Sequence, residues 1–428
     1  MKKAAFYTLG CKVNQYETEA MCELFKNAGY QICEFEEFAD VYVINTCSVT
    51  GMSDRKSRQI IRRAKKKNPD AIVAVTGCYA QVSSDEVLSI DGVNAVIGTH
   101  NRKNIVEIVE SQTHNSSYNG VLDIMNMHEF EELTISNYES RTRAFIKIQD
   151  GCSQFCSYCI IPYARGPIRS RKEEDVISEI KTLAKNGFKE VILTGIHVAS
   201  YGFDTNTSLS SLLLKIDKIE GIERIRLSSI EPMAIDRTFV DTVMASQKLC
   251  KHFHLSLQSG SDEILKRMNR KYKKADFKEI VDGIRSSFPD VAITTDIMVG
   301  FPGETDEHFR ESYEFVKEIA FSDAHIFQYS PRKGTPAAKR PDQISPQLKE
   351  ERSKAMIRLC EKSRDEFIDR FIGLTQPVLF ERKSGEMYEG KTDNYISVFV
   401  KSDKDISGEI LNVRLDKRRK ETIIGTII

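Results

Sequence analysis

A strand–helix alternation running from residue 145 to residue 328 constrains the fold of this chain more than any other feature. Six apolar, β-rich runs recur: FIKIQ from 145, EVILT from 190, ERIRLSS from 223, FHLSL from 253, VAITTDI from 291 and DAHIFQY from 323. The gaps carry apolar residues at helical spacing, as in Val176, Ile177, Ile180, Leu183 and Ala184. Thr305 can cap a helix through Phe309, Tyr313, Phe315 and Val316. Such alternation predicts an α/β fold with a parallel sheet and outer helices. Six units fall two short of a closed eight-fold barrel, so an open (βα)6 barrel is expected.

Directly after the first of these strands comes Cys152-Ser-Gln-Phe-Cys156-Ser-Tyr-Cys159, at the end where a barrel keeps its active site. Three thiolates can hold an iron–sulfur cubane and leave one iron open. The alternative is zinc, completed by a fourth cysteine or by His197, His252 or His254. Against zinc stand the lack of a second CxxC pair, the aromatic Tyr158 between cysteines, and the barrel context.

This spacing resembles the radical S-adenosylmethionine (SAM) superfamily. The resemblance implies a 4Fe–4S cluster whose open iron chelates SAM, with reductive cleavage giving methionine and a 5′-deoxyadenosyl radical. SAM contacts are then expected at later strand ends. Thr194 and Gly195 stand where the superfamily usually carries a Gly-Gly-Glu-like segment, from which this sequence departs. Gln258 and Ser259 can reach the ribose, and Gly300 can bring backbone close to the adenine.

Three more apolar runs open the chain, AAFYTLGC, DVYVINTC and AIVAVTGC, and each ends in a cysteine: Cys11, Cys47 and Cys78. A helix with Ala20, Met21, Leu24, Phe25 and Ala28, stopped by Gly29, separates the first two. Another, capped by Ser53 and carrying Ile60, Ile61 and Ala64, separates the next two. An open parallel sheet places ligands at the carboxyl ends of its strands, so the three thiols can meet at one edge in a shared metal site. Ordinary burial is the alternative, and is the expectation for Cys22 and Cys33. The second helix holds eight cations between Arg55 and Lys67, which suit phosphates or simply a solvated face.

A chain of 428 residues exceeds one ordinary core. The expected divisions are 1–135, 136–372 and 373–428, with a polar linker over 113–143. No signal-like start and no long apolar span are present, which points to the cytoplasm and away from membranes. Ten cysteines there read as ligands sooner than as disulfides. The net charge of zero gives no global sign of nucleic-acid binding. Residues 345–372 read as a connecting amphipathic helix with Cys360 packed. From Thr375 the runs QPVLFERK, ISVFVKS, GEILNVRLDK and ETIIGTII suit a five-stranded, oligonucleotide-binding kind of barrel. Lys417, Arg418, Arg419 and Lys420 lie near Tyr388, Tyr395 and Phe399, a pairing that suits RNA.

Taken in order, the whole chain resembles the methylthiotransferase family, with an N-terminal three-cysteine domain, a radical-SAM barrel and an RNA-binding TRAM domain. The resemblance implies that Cys11, Cys47 and Cys78 bind a second 4Fe–4S cluster, which carries or supplies the inserted sulfur. Two SAM molecules serve each turnover, with an electron donor and a sulfur source as partners. Leu9-Gly10-Cys11-Lys12-Val13-Asn14-Gln15-Tyr16-Glu17 looks like the branch acting on threonylcarbamoyl-adenosine, whereas the isopentenyl branch typically has Gln-Met-Asn after that cysteine. Both tRNA branches fit Cys159-Ile-Ile-Pro-Tyr-Ala-Arg-Gly166. The expected target is adenosine beside the tRNA anticodon, methylthiolated at C2. A ribosomal-protein aspartate and a non-catalytic iron–sulfur or zinc RNA-binding protein are the alternatives. Arg165, Arg169, Arg171, Arg267 and Arg270 are candidates for phosphate or carboxylate contacts.

Overall fold

The three cysteine-tipped runs form parallel strands Lys3–Thr8, Val41–Thr46 and Ile72–Gly77. The computed structural model describes residues 1–115, 117–136, 142–235 and 237–428; the stretch 137–141 of the expected linker lies outside the described residues. Three short strands, Gln31–Cys33, Ala95–Val96 and Tyr118–Asn119, complete a six-stranded sheet. At two or three residues they are too short to show as apolar runs. In chain order the strands lie 2-1-3-4-5-6, all parallel, so the order reverses between Lys3–Thr8 and Val41–Thr46. Such a switch point opens a crevice at the carboxyl ends.

Helices cover both faces because successive strand residues point opposite ways. Met21 and Phe25 of helix Lys12–Asn27 pack on Val41 and Val43, while Ile60, Ile61 and Ala64 of helix Gly51–Lys67 pack on Tyr42 and Ile44. Two expectations need correction. Thr50, not Ser53, caps the second helix: its hydroxyl accepts the Ser53 N–H at 3.2 Å. Cys33, expected to lie away from any strand end, does end a strand, but that edge strand pairs only as far as Ala5 and stops short of the crevice.

The six central strands appear where the alternation places them: Arg143–Lys147, Glu190–Thr194, Arg224–Leu227, His252–His254, Ala292–Val299 and Asp323–Gln328. They form two three-stranded parallel sheets, joined by bridges at Ile225–Leu249 and Ile230–Leu255. An open barrel results, with its seam between the first and last strands. Helix Asp306–Ile319 starts at Thr305, as expected. Helix Pro346–Asp369 follows, capped by Ser345, and it buries Cys360. A closed five-stranded barrel ends the chain. Its second strand, Met387–Thr392, escaped the hydrophobic reading because Glu389, Gly390 and Lys391 interrupt the pattern.

A buried network of charges ties the N-terminal sheet to the central barrel. Glu17, fully buried on the first helix, accepts from Lys147 at 2.7 Å and from Arg165 at 3.0 Å, and it pairs with Arg102. Arg102 also bonds Glu131, and Lys147 bonds Asp150 at 2.6 Å. Burial alone would raise the Glu17 carboxyl, but Arg102, Arg165 and Lys147 outweigh it and hold the group at about 2, below its ordinary 4.5. A depressed carboxyl stabilises the fold fully above the ordinary value and loses that contribution as pH falls toward 2. Glu17→Gln is therefore expected to lower stability by about 3 kcal/mol at neutral pH, read as an earlier urea midpoint. The variant should also lose part of the acid sensitivity expected of the parent between pH 4.5 and 2.

Candidate active site

Cys11, Cys47 and Cys78 follow the first, third and fourth strands, on both sides of the switch point. Gly10 sits at φ +106°, and a Cβ there would lie 2.9 Å from the Cys47 Cβ, so the two cysteine-bearing turns touch. Asn14 stitches them together, donating to the Leu9 and Thr46 carbonyls at 2.7 and 3.0 Å. At Gly77, φ +94°, a Cβ would meet the Thr46 carbonyl at 2.4 Å; only glycine lets the fourth strand end there. Cys47 and Cys78 are buried and Cys11 is exposed. Burial pushes the Cys78 thiol up to about 12, opposed by the adjacent Arg165, while Cys47 and Cys11 add to the rise. Such thiols ionise readily only when a cation binds them.

The second set sits on a loop whose base is pinned by the short pair Gln149–Asp150 and Arg169–Ser170. Inside it, the Cys152 amide donates to Gly166 at 3.0 Å and the Ser157 amide to Met268 at 3.0 Å. Burial raises the Cys152 and Cys159 thiols to about 11 and about 12. Arg270 donates to the Cys156 sulfur at 3.4 Å and to Glu231 at 2.6 Å. His197 lies beside them, buried, with no partner for either ring nitrogen among the described residues. Burial first, and then Arg270, lowers its ring to about 4.

One loop serves both sets. The helix Ile161–Arg165, starting two residues after Cys159, packs on the helix that Cys78 begins. From it Arg165 donates to the Cys78 sulfur at 3.4 Å and to Asn14 at 2.6 Å. Among the described residues, no three His, Cys, Asp or Glu side chains are drawn together as a single ion needs. A cubane spreads its thiolates wider than that, so three thiols around one edge fit it. His252 and His254 lie apart at the start of the fourth strand, both bonded to Thr294.

Of the residues expected at SAM, Thr194 and Gly195 end the second strand on the side of Cys152. Gln258, at φ +67°, pairs its backbone with Asp296 and Met298. The Ser259 hydroxyl accepts locally from the Ser261 amide at 3.2 Å. At Gly300 the room a Cβ would take is filled by Lys349. Glu231 was missed and His197 was weighed only as a ligand for zinc, although both follow strand ends and the logic that selected Thr194 reaches them.

The arginines divide. Arg165 and Arg270 touch cysteine sulfurs, whereas Arg169 and Arg171 are buried on Asp150, Glu132 and Glu179, and Arg267 pairs with Glu263 and Asp342. The last three are thus spent on protein carboxylates. On the helix after Cys47, Arg58, Arg63 and Lys67 pair with Glu86 and Glu36, leaving Arg55, Lys56, Arg62 and Lys66 exposed. In the C-terminal barrel, Tyr388 is core and Tyr395 is wedged against the central domain, stacked on His252 at 4.7 Å. Neither ring offers a base the open face that was expected. Arg418 pairs with Asp365 and Asp369, while Lys417, Arg419 and Lys420 stay exposed.

The fold and the three-thiol loop define a radical SAM enzyme: the Radical SAM superfamily model matches residues 146–316. The model described as Uncharacterized protein family UPF0004 matches residues 3–98. A threonylcarbamoyladenosine tRNA methylthiotransferase, MtaB, of Bacillus subtilis (strain 168) is 44% identical over 425 residues, covering 97% of this chain and 94% of that protein. A tRNA-2-methylthio-N(6)-dimethylallyladenosine synthase of Pelotomaculum thermopropionicum is 37% identical, covering 100% and 98%. The radical S-adenosylmethionine methyltransferase TsrM of Kitasatospora setae shares the fold, with a TM-score of 0.61 at 15% identity, over 79% of this chain and 77% of that one. The chain belongs to the radical-SAM tRNA methylthiotransferase family. Membership brings a 4Fe–4S cluster and SAM. No helix among the described residues is long and apolar enough to cross a membrane.

Proposed function

We propose that this chain methylthiolates C2 of N6-threonylcarbamoyladenosine beside the anticodon of tRNA, replacing a C–H bond by C–S–CH3. The observation that carries it is the junction at Arg165, where the loop of one cysteine set reaches the sulfur of the other. Cys152, Cys156 and Cys159 would hold the cluster that binds SAM, and Cys11, Cys47 and Cys78 a second 4Fe–4S cluster. When bound, these supply a reductively generated carbon radical and a site for sulfur, chemistry that acid–base side chains cannot perform on an aryl C–H bond. Arg270 and Glu231, paired with each other beside Cys156, would supply partners for the carboxylate and amino groups of SAM. Thr194, Gly195, Gln258, Ser259 and Gly300, at the ends of the strands, would make the remaining contacts to SAM.

Threonylcarbamoyladenosine is favoured over the isopentenyl form by the 44% relative and by Lys12 after Cys11. The exposed cations Arg55, Lys56 and Arg62, with Lys417, Arg419 and Lys420, suit the phosphates of an anticodon stem. We place the domains at 1–135, 136–372 and 373–428, the last as an RNA-binding TRAM unit. An electron donor and a sulfur source complete the partners. Reconstituted anaerobically with reductant and SAM, the enzyme is expected to convert tRNA carrying threonylcarbamoyladenosine to the 2-methylthio nucleoside, identified by mass spectrometry. Product only on isopentenyladenosine, or none with 5′-deoxyadenosine absent, would overturn this assignment.

A further inference from the structure

The floor of the central barrel carries more positive charge than its own carboxylates balance. Arg143, Glu190, Arg224 and His252 are the first residues of the first four strands, at the end away from Cys152. The turn Thr392–Tyr395 of the C-terminal barrel closes this end, accepting from Arg226 through the Asp393 carbonyl at 2.9 Å. Arg224 donates to the Lys391 carbonyl at 2.9 Å. Tyr395 gathers the cations around its ring, with Arg226 at 4.7 Å, Lys391 at 4.9 Å and Arg143 at 5.6 Å from the centroid.

Lys12, from the N-terminal domain, lies within electrostatic range of Tyr395, Arg143, Arg226 and Glu190. Among the described residues it has no ion-pair partner, and neither has Lys391, whose ammonium bonds only the Ser397 hydroxyl. Glu190 pairs with Arg143, Arg224 and Arg226, and Glu381 pairs with Arg143, which leaves Lys12 and Lys391 without a carboxylate of their own among the described residues. Asp393 turns its own carboxylate back to the Asn394 amide at 2.8 Å. His252, buried between these groups, leaves Nδ1 without a partner. Two clefts of about 320 and 470 Å³ open on either side of Lys391. Arg224 and Arg226 are satisfied by backbone carbonyls, so Lys12 and Lys391 are the cations here that an anion would pair.

Resting on the substrate assignment above, we infer that Lys12, Lys391 and Arg143 form a cage for the threonine carboxylate of the modified adenosine. Lys12 directly follows Cys11, so the cage would adjoin a base held at that cysteine. An isopentenyl group offers this floor no charge, and burying it there would leave the cations unpaired. The cage thus sets specificity through the penalty on the wrong substituent as much as through the contact to the right one.

The test uses the reconstituted enzyme with SAM and two anticodon stem–loop RNAs, one carrying threonylcarbamoyladenosine and one its threonine carboxamide. Phosphates and SAM are identical in both arms, so only the nucleoside carboxylate differs. The parent is expected to bind the acid about 10- to 100-fold tighter than the amide. Lys12→Gln should bind the acid as weakly as the amide, with the amide affinity unmoved, and Lys12→Arg should restore most of the preference. Lys391→Gln, on a different domain, should act in the same direction. Equal binding of acid and amide by the parent, or a preference that survives Lys12→Gln, overturns the cage while methylthiolation of threonylcarbamoyladenosine still stands. Product on isopentenyladenosine alone overturns the substrate assignment and the cage together.

Discussion

Cys152→Ala is expected to reduce 5′-deoxyadenosine formation to the level of the reagent blank, with methylthio product lost as well. Cys152 is one of three thiols on a loop that backbone bonds fix independently of any ligand: its amide on Gly166, that of Cys159 on Cys156 and that of Ser157 on Met268. Removing one sulfur leaves that loop folded and leaves two thiols, too few to hold a cubane that already lacks a fourth protein ligand. The loss is therefore one of chemistry, and the melting temperature should stay close to that of the parent. Iron should fall from about eight to about four atoms per chain, because the other cysteine set is untouched. Retained SAM cleavage would remove this loop from the radical step.

Strand positions and thiols were legible because each rests on a local pattern. Apolar runs of four to eight residues gave nine of the strands that matter, and the cysteines stand at their ends, where parallel sheets gather ligands. What escaped was built from residues far apart in the chain. Nothing near Arg165 announces that its guanidinium will lie on Cys78, since the contact spans 87 positions and depends on Glu17 and Asn14 of a third segment. Arg169 and Arg171 read as candidates for phosphate or carboxylate contacts near the site, yet Asp150, Glu132 and Glu179 come from the linker and barrel to bury them. Tyr395 failed for the same reason. An aromatic in a small barrel suits a base, but here its ring faces a floor of arginines contributed by another domain. Propensity and spacing report the neighbours along the chain; domain contacts decide which polar groups are left for a ligand.

Cys47→Ala separates the two cysteine sets and is expected to do so with opposite effects on two products. Cys47 is buried against Gly10 and belongs to the core of the N-terminal sheet, so alanine removes one sulfur from a packed turn without inserting bulk. The cavity left is small, and Asn14 still holds the Leu9 and Thr46 carbonyls together. The Cys152 loop keeps its own supports from Gly166, Met268 and Arg270, and its hydrogen bond to the strand-end thiols runs from Arg165 to Cys78 rather than to Cys47. SAM cleavage should accordingly remain measurable, within a few-fold of the parent, while the 2-methylthio nucleoside disappears and iron again falls to about four atoms per chain. The two alanine variants then carry the same amount of iron and differ only in where it sits. If sulfur insertion needed only the radical, Cys47→Ala would still make product; full product formation would show that the three strand-end thiols serve the fold alone. Loss of product together with loss of SAM cleavage would place both sets in one cooperative unit, with Arg165, which bridges from the Cys159 helix to Cys78, as the residue through which one set senses the other.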